Sequence, residues 1–517
     1  MTALALSRIN VPRALWFAPL QWAKKIDWTT TLTTLTTLLV AMVCGYAIPI
    51  LGAIVPAVIS AMLLCLVVLA LPAHVVVKFM LGLVMLIVGQ LTFFFGIQQA
   101  FWLPYLLLLL LGIKYLIEKL RFTSRVLRPL SLSNISVLIC LFCILFFLSA
   151  LSNSTDVTSF AVAAKNYLLP WILTLFVASQ IRQTGDLDGV WKFFLWMVVV
   201  QVPFAIPQHF YFAKRNGASL DAVVGSFGGN YLTGGASGAM AVFLVFGIVL
   251  AVAFFRRHQI GRKTLLGILV AALVTIALAE VKIFFFVLPL ALVLLFRWDL
   301  IAHPTEAIGY GLTGAAILAL LLFSYQQTAS SDLGKKKTLG TYIENTIDSE
   351  SDPYFVNPLT KEVSRIGAIL SWFRYNDLSD PRFYVGHGPA ASRVSQTLGS
   401  GVAARKYRFT LTTSTASTLL WDVGFIGYSL FIAVFSVAGL GALRLASYAP
   451  PKEKATLEAI GVMLLLSVPL SVYNRDLIDS AVMQTLVAFW IGYVLLCRRS
   501  LLRGSWQLPL AKTHLTF

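Results

Sequence analysis

The sequence predicts an all-α polytopic integral membrane protein. Of its 517 residues, 58% are hydrophobic and 12% are charged, and the mean hydropathy is +0.83. Soluble domains carry about 25% charged residues, so a chain this apolar is typical of the bilayer. The apolar runs are about twenty residues long rather than ten-residue alternations, which indicates spanning helices and not a β-barrel.

About fourteen apolar segments are long enough to cross a bilayer, with allowance for tilt. Short polar turns or basic loops separate most of them. In order, the predicted spans are Thr31–Ala47, Ile50–Leu71, Val75–Phe95, Phe101–Ile117, Ile135–Leu151, Ala161–Ala178, Val190–Ile206, Thr233–Phe255, Leu265–Ala279, Ile283–Phe296, Ala307–Ser324, Thr415–Leu443, Leu457–Tyr473 and Ala481–Cys497.

Basic residues collect in loops on one side of these spans. If the N-terminus is inside, the basic clusters after spans four, eight and fourteen all lie in the cytoplasm, as the positive-inside rule requires. The clusters are Lys119, Arg121, Arg125 and Arg128; Arg256, Arg257, Arg262 and Lys263; and Arg498, Arg499 and Arg503. Both termini are therefore predicted to be cytoplasmic. This bias explains most of the net charge of +18, so nucleic acid is not an expected partner.

The predicted spans divide the chain into five segments. Residues 1–29 form a basic, amphipathic cytoplasmic N-terminus, and 30–325 carry spans one to eleven. Residues 326–414 form one large outer loop, 415–497 carry the last three spans, and 498–517 are a cytoplasmic tail. An outer loop of this length is longer than a simple connection needs, which indicates a functional role.

One stretch of the outer loop has helical periodicity. Lys361–Leu378 places apolar residues at helical spacing, and we predict an amphipathic helix on the membrane surface. The apolar positions are Val363, Ile366, Ile369, Leu370 and Phe373. Arg365 on this helix is either a phosphate clamp, because a guanidinium binds phosphate oxygens in pairs, or an arginine extended toward lipid head groups.

The outer loop is also basic. Between Lys361 and Arg408 there are eight Lys or Arg residues against three acids. The excess predicts either a solvated surface or capture of a pyrophosphate or acidic glycan. The turn Gly386–Pro389 contains His387, which is a candidate base near neutral pH.

Further ionisable residues lie at the outer ends of predicted spans. Burying such groups is costly, so they usually face a cavity or a partner. Glu280 and Lys282 lie between spans nine and ten, and Asp422 and Arg475 belong to the last three spans or their links. We predict that Lys282, Arg475 and Arg365 meet in one outward-facing cavity.

Two glycine-rich stretches flank the start of span eight, Gly225–Asn230 and Gly234–Gly238. They predict either an anion site of exposed backbone N–H groups or close helix packing. All five cysteines lie in or at the end of apolar runs, so we predict neither a disulfide nor a metal site.

Four motifs occur in a characteristic order. They are GSFGGN at Gly225–Asn230, AEVK at Ala279–Lys282, Arg365 with Trp372 and the turn at Gly386–Gly388, and TLLWDVGFIG at Thr418–Gly427. In this order and spacing, the chain resembles the O-antigen ligase and O-antigen polymerase family of bacterial envelope glycosyltransferases.

That resemblance implies a metal-independent glycosyltransferase in the bacterial inner membrane that needs no cofactor. Its donor would be an undecaprenyl-diphosphate-linked glycan and its acceptor another glycan, joined at the periplasmic face, with a chain-length regulator and a flippase as candidate partners. Lys282 and Arg365 would hold the diphosphate, with Arg475 and Arg408 as further cations. The general base stays open among three candidates: Glu280, Asp422 and His387.

One departure from the family separates the two activities. Ligases carry His-Asn where this chain has Thr413-Ser414. This favours a polymerase of capsule, exopolysaccharide or O-antigen repeat units. The alternatives are a ligase that transfers glycan to a lipid or protein acceptor, and a transporter or flippase of lipid-linked oligosaccharides.

Overall fold

The computed structural model describes a large part of the chain. The described residues are 64–121, 133–213, 223–230, 234–279, 281, 283–303, 309, 363–394, 399–407 and 409–504. The chain divides into two compact units, residues 1–71 and 72–517. In the first unit the structure describes only 64–71, and every helix named below belongs to the second.

Eleven helices within the described residues are long and apolar enough to cross a membrane. Each corresponds to one of the predicted spans, so an all-α multi-pass membrane protein is confirmed. They are Ala73–Phe93, Gln98–Leu120, Asn134–Ser152, Val157–Gln180, Thr184–Phe212, Ser237–Arg256, Arg262–Ala279, Ile283–Ala302, Thr415–Ala446, Pro451–Tyr473 and Ala481–Leu502. Predicted span Thr31–Ala47, all of Ala307–Ser324 except Gly309, and most of Ile50–Leu71 lie outside the described residues.

Several spans consist of more than one helical element. Up to the middle of the chain, the α-helices are α1 (Ala73–Gly82), α2 (Val88–Phe93), α3 (Leu103–Arg121), α4 (Asn134–Ser152), α5 (Val157–Tyr167), α6 (Leu169–Gln180), α7 (Asp188–Pro207), α8 (Ser237–Arg256), α9 (Arg262–Ala279) and α10 (Ile283–Ala302). The later ones are α11 (Arg365–Tyr375), α12 (Pro381–Val385), α13 (Val402–Tyr407), α14 (Thr415–Ala446), α15 (Pro451–Tyr473), α16 (Asp476–Asp479) and α17 (Ala481–Leu502).

Short 3₁₀ and π segments complete the helical spans. The 3₁₀ turns are Gln98–Trp102 and Thr184–Leu187, and the π turns are Leu83–Ile87 and Gln208–Ala213. Two-residue strands β1 (Gly229–Asn230) and β2 (Gly234–Gly235) pair antiparallel before α8.

The centre of the bundle is formed by α8, α15 and α17, whose apolar side chains are buried all round. The helices α9 and α10 leave most of their apolar surface exposed, as expected for helices that face lipid. The long helix α14 packs mainly against α15 and α4, and α17 packs mainly against α6. This arrangement brings the ends of α14, α15 and α17 together at one end of the bundle.

A sharp bend interrupts α14, which the sequence predicts as continuous from Thr415 to Leu443. Gly424 has φ +74° and ψ −174°, outside the helical region. A Cβ on Gly424 would lie 2.5 Å from the backbone nitrogen of Gly386. The bend therefore exists because the Gly386 turn packs directly on the helix backbone, and only glycine fits there.

The amphipathic helix predicted within Lys361–Leu378 forms as α11. Its small and aromatic positions, Ala368 and Trp372, are buried, while the apolar Ile366, Leu370 and Phe373 stay exposed. The Trp421 indole donates to the Ala368 carbonyl at 3.4 Å and fixes α11 on α14. The exposed apolar stripe is typical of a helix that lies on a membrane surface.

Candidate functional site

The segment 223–230 folds back into the bundle, where its backbone needs internal partners. Two glutamines of the preceding span supply them. Gln208 Oε1 accepts from the backbone nitrogens of Val224 (3.0 Å) and Gly225 (2.8 Å), and Gln201 Oε1 accepts from that of Ser226 (2.8 Å). The Ser226 hydroxyl in turn donates to the Met85 carbonyl in the π turn at 2.6 Å. The buried loop is thus fixed between two spans.

Glycines allow the backbone of this loop to pack directly against the backbone of a neighbouring span. A Cβ on Gly228, which has φ +87°, would lie 2.6 Å from the Gly89 Cα. Close packing, one of the two predicted roles of the glycine-rich stretch, therefore applies here. Gly229 of β1 pairs with Gly235 of β2. Both residues line one wall of a cleft, and we call this wall the glycine turn.

The cleft has a volume of about 200 Å³. One wall is the glycine turn, and the other is the link 474–480 between α15 and α17. Its lining residues are Val84, Val88, Phe101, Phe227, Gly228, Gly229, Gly235, Ala236, Arg475, Asp476, Asp479, Ser480, Ala481 and Val482. Its floor is apolar, and its polar side chains all come from the link.

The start of α14 holds this link in place. The backbone nitrogen and hydroxyl of Thr415 donate to the Asn474 carbonyl at 2.8 and 2.9 Å. Arg475 Nη1 donates to the Thr412 carbonyl at 3.0 Å, and its Nε lies 2.7 Å from Asp479 Oδ2. The Arg475 and Asp479 side chains are 47% and 40% exposed, so this ion pair meets solvent.

Asp476 is half-buried in the cleft wall. Its Oδ2 accepts from Asn474 Nδ2 at 2.8 Å, and Oδ1 has no hydrogen-bond donor among the described residues. A Cβ added to Gly238 would lie 2.6 Å from Asp476 Oδ2, so the carboxylate sits against the first turn of α8. Burial, reinforced by the negative charge of Asp479, raises the pKa of Asp476 to about 7, although the positive charges of Arg475 and Arg365 oppose the shift.

Arg365 reaches the same place from the first turn of α11. Its guanidinium carbon lies 4.1 Å from the centroid of the Tyr473 ring, and its charge acts on Asp476. Arg365 and Arg475 are distant in sequence, yet both lie beside one carboxylate. Both arginines act on Asp476, but of the two only Arg475 lines the cleft. Lys282 and Arg408 lie outside the described residues, as does Glu280. Trp372, although on the same helix as Arg365, packs elsewhere, against Phe383.

A third cation lies close to the cleft. Lys165 Nζ is 4.6 Å from the centroid of the Trp102 ring and 4.4 Å from that of Tyr105. Its charge interacts with Asp479, on the link. Trp102 is 55% exposed and follows Phe101, which lines the cleft, so an aromatic surface adjoins the charged groups.

Asp422 has a different environment. Its Oδ2 accepts from the Tyr167 hydroxyl at 2.6 Å and the Ala390 backbone nitrogen at 3.0 Å, and its Oδ1 accepts from the Ser392 backbone nitrogen at 2.8 Å. The side chain is 1% exposed. With its oxygens bonded and shielded, Asp422 attaches the segment at Ala390 and Ser392 to α14, which does not favour a role as a general base.

His387 is also held by its neighbours. Its backbone nitrogen donates to the Trp421 carbonyl at 2.9 Å, its Nε2 lies 2.8 Å from Asn376 Oδ1, and its ring stacks on Trp421 with centroids 5.4 Å apart. Burial, with the nearby charges of Arg382 and Lys406, lowers the pKa of His387 to about 4. The ring is therefore neutral at pH 7, and it is not among the residues that line the cleft.

Sequence reasoning selected Arg475 but not Asp476 or Asp479. The signal was present, because the seven-residue link 474–480 carries three charged side chains between two apolar spans. The sequence does not show which of the two carboxylates pairs with Arg475 and which keeps an oxygen available to the cleft.

The fold defines an all-α multi-pass membrane protein with a charged cleft at one end of the bundle. No protein-family model and no curated protein matches this chain.

Proposed function

We propose that this protein polymerises undecaprenyl-diphosphate-linked repeat units of a capsule, exopolysaccharide or O-antigen. The reaction would take place at the periplasmic face of the inner membrane. One observation carries the proposal: Arg365 and Arg475 come from distant parts of the chain to the side of one cleft, which also holds a carboxylate and a glycine turn.

The two arginines at the cleft suit a diphosphate leaving group. A guanidinium binds phosphate oxygens through a planar fork and stays charged at every physiological pH. Negative charge grows on the diphosphate as the glycosidic bond breaks, so cations fixed in advance lower the barrier to transfer. Arg475 is already oriented by Thr412 and Asp479, and Arg365 is oriented by Tyr473.

The surroundings of the cleft suit a substrate with a lipid tail. It lies at the ends of apolar spans, and the exposed stripe of Ile366, Leu370 and Phe373 on α11 suits the membrane surface nearby. This proposal retains the fourteen-span topology, the periplasmic loop 326–414 and two cytoplasmic termini as its expectations.

A ligase receives less support. Where ligases carry His-Asn, Ser414 is fully buried and its hydroxyl caps α14 by accepting from the Ser417 backbone nitrogen at 3.1 Å. This side chain serves the helix terminus and offers no base.

The glycolipids of a deletion strain separate the candidate activities. Loss of a polymerase leaves single repeat units on the lipid carrier at the periplasmic face. Loss of a ligase leaves full-length polymer on that carrier, and loss of a flippase leaves repeat units at the cytoplasmic face. Full-length polymer or inward-facing units would contradict the polymerase proposal.

The variants Arg365→Ala and Arg475→Ala test the diphosphate role. Each should abolish long chains in a complementation assay while the protein inserts at its normal level, because the leaving group loses a fixed cation. Arg374→Ala is the matched control, since Arg374 lies on the same helix with its guanidinium 6.0 Å from the Tyr375 ring centroid. Normal chain-length ladders from both cleft variants would contradict the proposal.

A further inference from the structure

The described part of the cleft contains two carboxylates, Asp476 and Asp479. Asp479 is engaged by the Arg475 guanidinium at 2.7 Å. Asp476 has no Lys or Arg nitrogen within 4.0 Å among the described residues, and only one of its oxygens accepts a hydrogen bond. Asp476 is therefore the carboxylate with an oxygen available to a bound molecule.

The position of Asp476 relative to the two arginines suits a reaction between two substrates. Arg475 precedes Asp476 in the link, and Arg365 approaches from α11, so a diphosphate held between the guanidinium groups would lie next to this carboxylate. The glycine wall opposite presents no side chains, which leaves room for a sugar between them.

From this geometry we infer that Asp476 is the general base of the transfer reaction, and that the acceptor is a sugar hydroxyl that enters the cleft beside the glycine turn. The inference rests on the proposed function and deepens it, because it assigns the proton-accepting group. It replaces the three candidates that the sequence offers with a residue from the link.

The proposed step is balanced as follows. The acceptor oxygen forms a bond to the anomeric carbon of the donor sugar as the bond from that carbon to the diphosphate oxygen breaks. The acceptor proton passes to Asp476 Oδ1, and the bonding electron pair leaves with the diphosphate. Arg365 and Arg475 then face the negative charge of the departing group.

The electrostatics around Asp476 suit this role at neutral pH. Desolvation and Asp479 raise its pKa to about 7, while Arg475 on the link and Arg365 on α11 act in the opposite direction. A base is most effective when its pKa is near the working pH, because it is then both ionised in part and basic enough to take a proton. Transfer should therefore rise with pH through an acidic limb near pH 7 as Asp476 ionises.

The test uses the purified full-length protein in lipid nanodiscs, with the lipid-linked glycan from the deletion strain as donor and acceptor. Asp476→Asn should lower the transfer rate about 100-fold or more, the usual contribution of a general base. Its affinity for undecaprenyl diphosphate should be unchanged or higher, since the arginines remain and a neighbouring negative charge is gone. Asp476→Glu should recover part of the rate.

The exposed Asp377, on the loop after α11, provides the matched control Asp377→Asn, which should transfer at the wild-type rate. Transfer by Asp476→Asn within about threefold of wild type would overturn the inference. Equal loss of transfer and of undecaprenyl diphosphate binding would also overturn it, since that result indicates a structural role. Failure of the wild-type protein to transfer glycan would instead overturn the proposed function, and the inference with it.

Discussion

Two carboxylates at the same end of the bundle, Asp422 and Asp476, have opposite surroundings. Asp422 accepts hydrogen bonds from Tyr167 and from the backbone nitrogens of Ala390 and Ser392, and it is 1% exposed. Asp476 accepts a single side-chain hydrogen bond, from Asn474, and lines a cleft beside two arginines. Burial alone therefore does not mark a reactive group. What separates the two is whether an oxygen is left for a bound molecule.

Because of this difference, the two regions should respond differently to amino-acid substitutions. The region of Asp422 is a joint between loop and helix, where both carboxylate oxygens accept hydrogen bonds and their removal leaves the donors unsatisfied. The region of Asp476 is more open, since Asp476 lines a cleft and the Arg475–Asp479 ion pair beside it meets solvent. We expect substitutions in the first region to affect stability and those in the second to affect activity.

The largest expected contrast is between Asp422→Ala and Asp476→Ala. Asp422→Ala leaves two buried backbone nitrogens and the Tyr167 hydroxyl without an acceptor, at about 1 to 3 kcal/mol each, so it should lower the free energy of unfolding by about 3 kcal/mol or more. Asp476→Ala loses one hydrogen bond and removes a desolvated charge, so its change should stay within about 1 kcal/mol. Thermal unfolding in detergent measures both, and the reverse order of stability would refute the comparison.

An intermediate effect is expected at the bend in α14. Gly424→Ala places a Cβ 2.5 Å from the Gly386 nitrogen at φ +74°, so the joint around Asp422 should lose about 2 kcal/mol of stability. Gly441→Ala in the same helix is the control, because its Cβ would have no neighbour within 4 Å. It should be neutral or stabilise by up to about 1 kcal/mol. Equal melting temperatures for the two variants would show that the bend does not depend on glycine.

The smallest expected effect is a shift in the pH dependence of the transfer rate when a charged residue of the cleft is replaced. Asp479 raises the pKa of Asp476, so Asp479→Asn should lower it and move the acidic limb of the transfer rate to lower pH. The sign follows because the ionised form of Asp476 is the active one. Rates measured across the neutral range, from mildly acidic to mildly basic buffer, check the shift. A limb that moves to higher pH, or stays in place, would contradict the assignment of Asp476 as the base.

The sequence predicts the described spans well because length and apolarity are local properties. Each of the eleven spanning helices, from Ala73–Phe93 to Ala481–Leu502, overlaps a predicted span. The bend at Gly424 is not predicted, because its cause is the turn at Gly386, which is far away in the sequence. The helix α11 is predicted from its apolar spacing, but its packing on α14 through Ala368 and Trp372 is not, because the contact with Trp421 forms only in the folded chain.

The site is predictable in part. The amphipathic helix identifies Arg365 as a candidate phosphate clamp, and Arg365 acts on Asp476. Charge at the end of a span identifies Arg475 as a residue that faces a cavity or a partner, and Arg475 lines the cleft. The same rule selects Asp422, but its role depends on Ser392 and Ala390, which reach it only in the folded chain. Asp476 cannot be singled out from the sequence, because the link carries two carboxylates and only the folded chain shows that Arg475 pairs with Asp479.

The most direct test of the central claim is to find where the lipid-linked diphosphate binds. Undecaprenyl diphosphate carrying a diazirine near the phosphates is photo-crosslinked to the full-length protein in nanodiscs, and the labelled peptides are identified by mass spectrometry. The account predicts labels on the link 474–480 and on Gly228, Gly229 and Gly235 of the glycine turn, with loss of label in Arg475→Ala. Labels confined to the His387 turn and the adjoining part of α14, or spread over the lipid-facing helices α9 and α10, would contradict it.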